Sequence, residues 1–142
     1  MAEESTSPDP VELVRDLLAA ANSRDFDAMV SFYALDAVWD MSPMGLGVYE
    51  GRAAIRRFLE DWFDSYGEWA METKTVVDLG SGVVYGVQEQ QGRVAGSSGA
   101  VRLRDAFVCQ VADGRFVRFT RYPDIDQARA AAERLAQERA DG

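Results

Sequence analysis

The apolar residues of this chain change their period once, near Gly67, and that change limits the fold more than any other feature. Before it they recur at helical spacing. After it they alternate every second residue, the period of a half-buried strand. Helices followed by a run of strands exclude the alternating units of a parallel α/β sheet. They predict an α+β domain with helices on one face of an antiparallel sheet.

Asp9-Pro10-Val11-Glu12 opens the first helix, with Asp9 as cap, Pro10 in the first turn and Glu12 placed for a capping box. Val11, Val14, Leu18 and Ala21 form its stripe, and Asn22-Ser23-Arg24 ends it. Asp25-Phe26-Asp27 begins a short second helix through Met29, Val30 and Tyr33. Ala37–Asp40 is a short β-prone stretch, followed by a loop over Ser42–Gly47. Gly51-Arg52 opens a third helix, whose apolar face is Ile55, Phe58, Leu59, Trp62, Phe63 and Tyr66. Strands are predicted at 69–79, 83–91, 100–112 and 115–122. Gly80-Ser81-Gly82 and Ala112-Asp113-Gly114 are the hairpin turns, and Gly92 to Gly99 is a longer connection. A final alanine-rich helix spans about 124–139, capped by Asp124 with Gln127 three residues on. The polar stretch 1–8 reads as a loose, disordered tail before a single domain over 9–139. The length, 142 residues, suits one domain that buries its own core.

Charge and composition then exclude functions. The net charge of −9 argues against a nucleic-acid groove and against an anionic membrane surface. The chain has no histidine, which removes Ser-His-Asp and Cys-His catalysis and the usual zinc sites. No motif for a metal or a phosphate-bearing cofactor is present, so no metal and no cofactor are expected. Cys109, the one cysteine, lies in Phe107–Val111 and reads as a small buried apolar side chain. No apolar run reaches the length of a membrane span, and the first residues do not resemble a signal peptide. A cytoplasmic protein is the expectation.

Four polar positions stand out. Alternation puts Asp105 on one strand face with Leu103, Phe107 and Cys109, while Arg102 and Arg104 point the other way. An aspartate in that company is costly unless paired, hydrogen-bonded or protonated. Asp40 ends a strand before a Met/Pro/Gly loop, a position equally suited to strand termination. Arg121 shares a face with Val117 and Phe119, where it either snorkels to the surface or points inward. Gln88 and Gln90 line a wet pocket, or face solvent while Tyr85 and Val87 face the core. The pattern of apolar residues does not decide between them. Trp39, Trp62, Phe63, Tyr66, Phe107 and Phe119 read first as core.

Several segments resemble the nuclear-transport-factor-2-like (NTF2-like) superfamily. They are Leu18–Asp27, Asp36-Ala-Val-Trp-Asp40, Tyr49-Glu-Gly-Arg-Ala-Ala-Ile55, and Asp113–Val117 through Arg121-Tyr-Pro-Asp124. The branch they are most similar to is the SnoaL-like proteins, related to polyketide cyclases, ketosteroid isomerases and limonene-epoxide hydrolases. The resemblance covers about residues 10–135. It implies a cone-shaped fold, with a strongly curved mixed β-sheet wrapped around N-terminal helices and enclosing a pocket. It also implies a homodimer and a small apolar molecule as partner.

Residue by residue, the resemblance places an isomerase's base aspartate at Asp40 and its protonated, oxyanion-binding aspartate at Asp105. That isomerase's neutral aspartate is a known case of pKa tuning. The tyrosine that completes such an oxyanion site falls near Leu17, so a hydroxyl would have to come from Tyr33, Tyr49, Tyr66 or Tyr122. The epoxide hydrolases' Asp-Arg-Asp relay would fall on Gln88, Gln90 and Arg121, which implies that this activity is absent. Two readings follow. In one, Asp40 is a general base and neutral Asp105 a donor in a cofactor-free isomerase or cyclase acting on an enolisable carbonyl compound. Its substrate walls would be Trp39, Leu17, Tyr49, Trp62, Phe63, Tyr66, Phe107 and Phe119, with Gln88, Gln90 and Arg121 as polar contacts. In the other, an Asp105–Arg121 salt bridge keeps the aspartate from donating, and the domain only binds a ligand or dimerises.

Overall fold

The computed structural model describes residues 9–96 and 99–141. The expected tail over 1–8, and Ser97 and Ser98 of the glycine-rich connection, lie outside the described residues. The elements are α1 (Pro10–Asn22), α2 (Phe26–Ser31), β1 (Tyr33–Asp40), a 3-10 turn (Ser42–Met44), β2 (Val48–Glu50), α3 (Arg52–Asp64), β3 (Tyr66–Gly80), β4 (Val83–Val94), β5 (Ala100–Ala112), β6 (Arg115–Tyr122) and α4 (Ile125–Asp141).

The helix starts follow from their caps. The Asp9 carboxylate accepts the Val11 N–H at 2.8 Å, and Asp25 accepts that of Ala28 at 3.1 Å. Asp124 accepts the N–H groups of Asp126 and Gln127 at 2.9 and 3.3 Å. The six strands form one sheet in the order β2-β1-β6-β5-β4-β3. β1 runs parallel to β6 and every other pair is antiparallel, so the sheet is mixed. The β3–β4 pair shifts register three times, and each such irregularity adds local bend and twist.

Both faces of the sheet are covered, which corrects the expectation that helices occupy one face. α1, α2 and α3 pack on one face over a core that includes Leu13, Leu17, Ile55, Leu59, Phe63, Trp39, Phe107 and Phe119. α4 packs on the opposite face, where Ala128 and Ala132 meet Val83, Tyr85, Val87, Ala106 and Val108. Small alanines let that helix lie close to the strands. This explains why β4 is apolar on both faces near its start: one side serves α4 and the other the helical core.

Other expectations also change. Tyr66 is the first residue of β3, not the last turn of α3, which ends at Asp64. The second helix stops at Ser31, and Tyr33 opens a β1 longer than the predicted Ala37–Asp40. The short edge strand β2 was not foreseen. Gly92, Arg93 and Val94 extend β4 instead of starting a loop. A register shift at Gln110/Val111 puts Phe116, not Val117, into the core with Phe119. No helix among the described residues is long and apolar enough to cross a membrane.

Candidate functional site

The strands place four aromatic or glycine positions side by side on the face under α1–α3. Trp39 of β1 stacks on Phe119 of β6, with ring centroids 4.7 Å apart and planes within 5°. Phe119 stacks in turn on Phe107 of β5 at 5.2 Å. The next strand offers Gly86 opposite Phe107. A Cβ there would collide with the Phe107 ring, three of whose carbons would lie within 2.8 Å of it. Glycine is therefore what lets the stack lie flat against β4. Such pairs contribute about 0.5–1.5 kcal/mol each beyond the area they bury.

Above this floor is a cavity that leaves about 50 Å³ for the centre of a water-sized sphere. A single water needs roughly 10–15 Å³ by that measure, so the space suits several waters or one compact molecule. Leu17, Trp39, Trp62, Phe63, Phe107, Phe119, Gln88, Gln90 and Arg121 all line it, each a position singled out from the sequence. Gln88 and Gln90 thus face inward, while Tyr85 and Val87 take the α4 side. Tyr49 and Tyr66 are not among the lining residues. Tyr49 packs on Phe58 at 4.5 Å, and Tyr66 packs on Trp69 at 4.5 Å.

The two aspartates are not brought together. β1 alternates at its end, so Trp39 and Met41 line the cavity and Asp40 faces the other way. Asp40 lies in the groove under α4 with Arg118, Tyr122 and Arg134. Its carboxylate accepts from the Ser42 N–H at 2.9 Å and from Arg118 at 2.7 Å. Burial pushes its pKa up, but the Ser42 hydrogen bonds and the Arg118 guanidinium outweigh it and hold the carboxyl below its usual value. Tyr122, on the same face, has its phenol pushed up by burial and then by the Asp40 charge.

Asp105 is on the cavity side but sits behind the lining, 2% exposed. Its Oδ2 accepts from Arg121 Nη2 and from Gln90 Nε2, the latter at 3.1 Å. The salt bridge weighed from the sequence is therefore present: a guanidinium and an amide both occupy one oxygen of the carboxyl group. Asp105 Oδ1 and Arg121 Nε have no hydrogen-bond partner among the described residues.

Tyr33 and Thr73 also line the cavity, and each carries a side-chain oxygen without a partner among the described residues. The Trp39 indole N–H is in the same condition. Burial, joined by the neighbouring Cys109, pushes the Tyr33 phenol well above its usual range, against an opposing effect of Arg121. Of the four tyrosines considered as replacements at Leu17, Tyr33 is the one that lines the cavity. Its helical spacing from Met29 and Val30 made it look like helix, and only the start of β1 turned it inward. Among the described residues no group of three His, Cys, Asp or Glu side chains could hold a metal ion.

The model of the SnoaL-like domain matches residues 14–119. This chain belongs to the SnoaL-like family. Its α+β fold is that of the NTF2-like superfamily. A putative polyketide cyclase from Xanthomonas campestris pv. campestris is 25% identical, with a TM-score of 0.66 over 83% of this chain and 92% of that one. TerC, crystallised with polyporic acid, is 18% identical, with a TM-score of 0.71 over 88% of this chain and 98% of that one. An LEH-like epoxide hydrolase from M. tuberculosis is 17% identical, with a TM-score of 0.69 over 88% and 90%. No curated protein sequence matches the chain. Its SnoaL-like domain thus carries an aromatic cavity whose polar end is Gln88, Gln90 and Arg121, with Asp105 held behind them.

Proposed function

We propose that this SnoaL-like protein binds a small, mostly apolar molecule in the cavity between α1–α3 and the sheet. One observation carries the reading: an aromatic, largely enclosed space ends in a few polar side chains, the ordinary form of a small-molecule site. The names of its structural relatives agree with it. One is a putative polyketide cyclase and another was crystallised with polyporic acid. Trp39, Phe107 and Phe119 supply a flat wall, Leu17, Trp62 and Phe63 the cover, and Arg121 with the two glutamines the polar end. No aspartate or glutamate is among the lining side chains, which favours binding over acid–base chemistry at this cavity.

The test is a screen of one- and two-ring aromatic compounds by protein-detected NMR. The expected result is shifts confined to residues such as Leu17, Trp39 and Phe119, abolished by Leu17→Trp, which fills the space. A screen without binders, or shifts on the α4 face alone, overturns the proposal.

A second reading draws on the unpartnered Asp105 Oδ1. In a cofactor-free isomerase or cyclase, Asp105 would take a proton from an enolisable substrate once Gln90 or Arg121 moved aside. Asp40, in the groove on the other face, takes no part in such a step. Turnover of an enolisable ketone that Asp105→Asn removes without weakening binding would support it.

A further inference from the structure

We infer that the polar end of the cavity selects an uncharged molecule bearing a hydrogen-bond acceptor, read by Tyr33, Trp39 and Arg121, with Asp105 as the positioning residue for Arg121. The inference rests on the binding reading and names the chemistry of its ligand.

The polar end of the cavity is balanced in charge. Arg121 and Asp105 are both buried and paired with each other, so this end of the cavity carries a cation and an anion that cancel. The Asp40–Arg118 pair lies on the other face of the sheet. An anionic ligand would leave water to meet a guanidinium already neutralised, with the free oxygen of Asp105 behind it. A cationic ligand would meet Arg121 in front of the Asp105 carboxylate it already pairs with. Either ion loses its hydration without gaining a full countercharge, which weakens its binding.

The hydrogen bonds on offer also have a direction. Four side chains of the lining carry a buried polar atom without a partner among the described residues: Tyr33 Oη, Trp39 Nε1, Thr73 Oγ1 and Arg121 Nε, of which the Thr73 hydroxyl can donate or accept. The indole and guanidinium nitrogens can only donate. The phenol, kept protonated by burial, is also a donor. Buried donors left unmade are expensive, so a ligand gains most by bringing an acceptor oxygen to them. Asp105 holds Arg121 Nη2, and Gln90 holds the same oxygen of Asp105, which fixes how the guanidinium stands.

The experiment compares four one-ring probes of similar size: acetophenone, ethylbenzene, benzoate and benzylamine. Affinities are measured by NMR titration against wild type, Tyr33→Phe and Arg121→Met/Asp105→Leu, the last removing both charges together. Acetophenone is expected to bind wild type about 3- to 10-fold more tightly than ethylbenzene, the worth of a hydrogen bond or so. The two ions should bind more weakly than either. Tyr33→Phe and the double variant should each shrink the ratio of acetophenone to ethylbenzene affinity. Tightest binding by benzoate or benzylamine, or an undiminished preference in both variants, overturns the inference while the binding reading stands. If none of the four probes binds wild type, the binding reading fails and the inference with it.

Discussion

Replacing Asp105 by leucine would leave the Arg121 guanidinium buried without its anion. The two side chains are 2% and 8% exposed, so solvent screens the pair very little. Removing one partner of a buried pair costs about 3–5 kcal/mol, because the charge left behind is uncompensated. Gln90 loses its acceptor at the same time. Against a total stability of roughly 5–15 kcal/mol this is a large fraction. At about 2–4 °C per kcal/mol for a domain near this size, the melting temperature should fall by roughly 10–15 °C. Replacing both partners, Asp105→Leu with Arg121→Met, removes the charge as well as its partner. Such replacements are often neutral or stabilising, so the double variant should return to within about 1 kcal/mol of wild type. Urea unfolding followed by tryptophan emission measures all four corners of this cycle, since Trp39, Trp62 and Trp69 report from the core. The coupling between the two sites should exceed about 2 kcal/mol. A single variant that costs less than about 1 kcal/mol, or a double variant as unstable as the single, would refute the picture of a dry, mutually dependent pair.

Two further outcomes follow from the same geometry. Gly86→Ala should destabilise by about 1–3 kcal/mol, as overpacking does, because its Cβ drives into the Phe107 ring; an unchanged melting temperature would mean that the ring has room to tilt. Asp40 has a carboxyl held below its usual value in the folded protein. Its contribution is therefore full above the unfolded value of about 3.9 and lost as pH falls through the lower, folded one. Asp40→Asn should be less stable than wild type near neutrality, with the gap closing below about pH 4. Melting temperatures measured from pH 7 to 3 check this, and a gap independent of pH removes the ion pair from the account.

How far the site was legible depended on the kind of signal each residue gave. Asp105 stood out because a carboxylate broke an apolar alternation, and burial of a charge forces a partner onto it. Its partner Arg121 and the direction of Gln88 and Gln90 could not be read the same way. β4 is apolar on both faces near its start and β6 mixes apolar and polar residues on both, and alternation fixes which residues share a face but not which face is which. Asp40 illustrates the opposite error. Its place in a motif suggested a role in the pocket, yet Trp39 beside it already takes the inward position. In a strand, consecutive side chains cannot both point inward. Tyr66 misled for another reason: an apolar residue at helical spacing looks like helix until the chain turns into a strand.

The sequence by itself determined the change from helical to strand period near Gly67, which caps start α1, α2 and α4, and where the two hairpins turn. Those are local matters of period, capping and turn chemistry. Only the tertiary structure decided that α4 covers the far face of the sheet. It alone paired Asp105 with Arg121, parted Asp40 from both, and brought Tyr33 to the cavity wall. These depend on strand order and on which face each helix covers. Contacts between residues 16 or 78 positions apart, as in the Asp105–Arg121 and Asp40–Arg118 pairs, leave no mark on the periodicity of either segment.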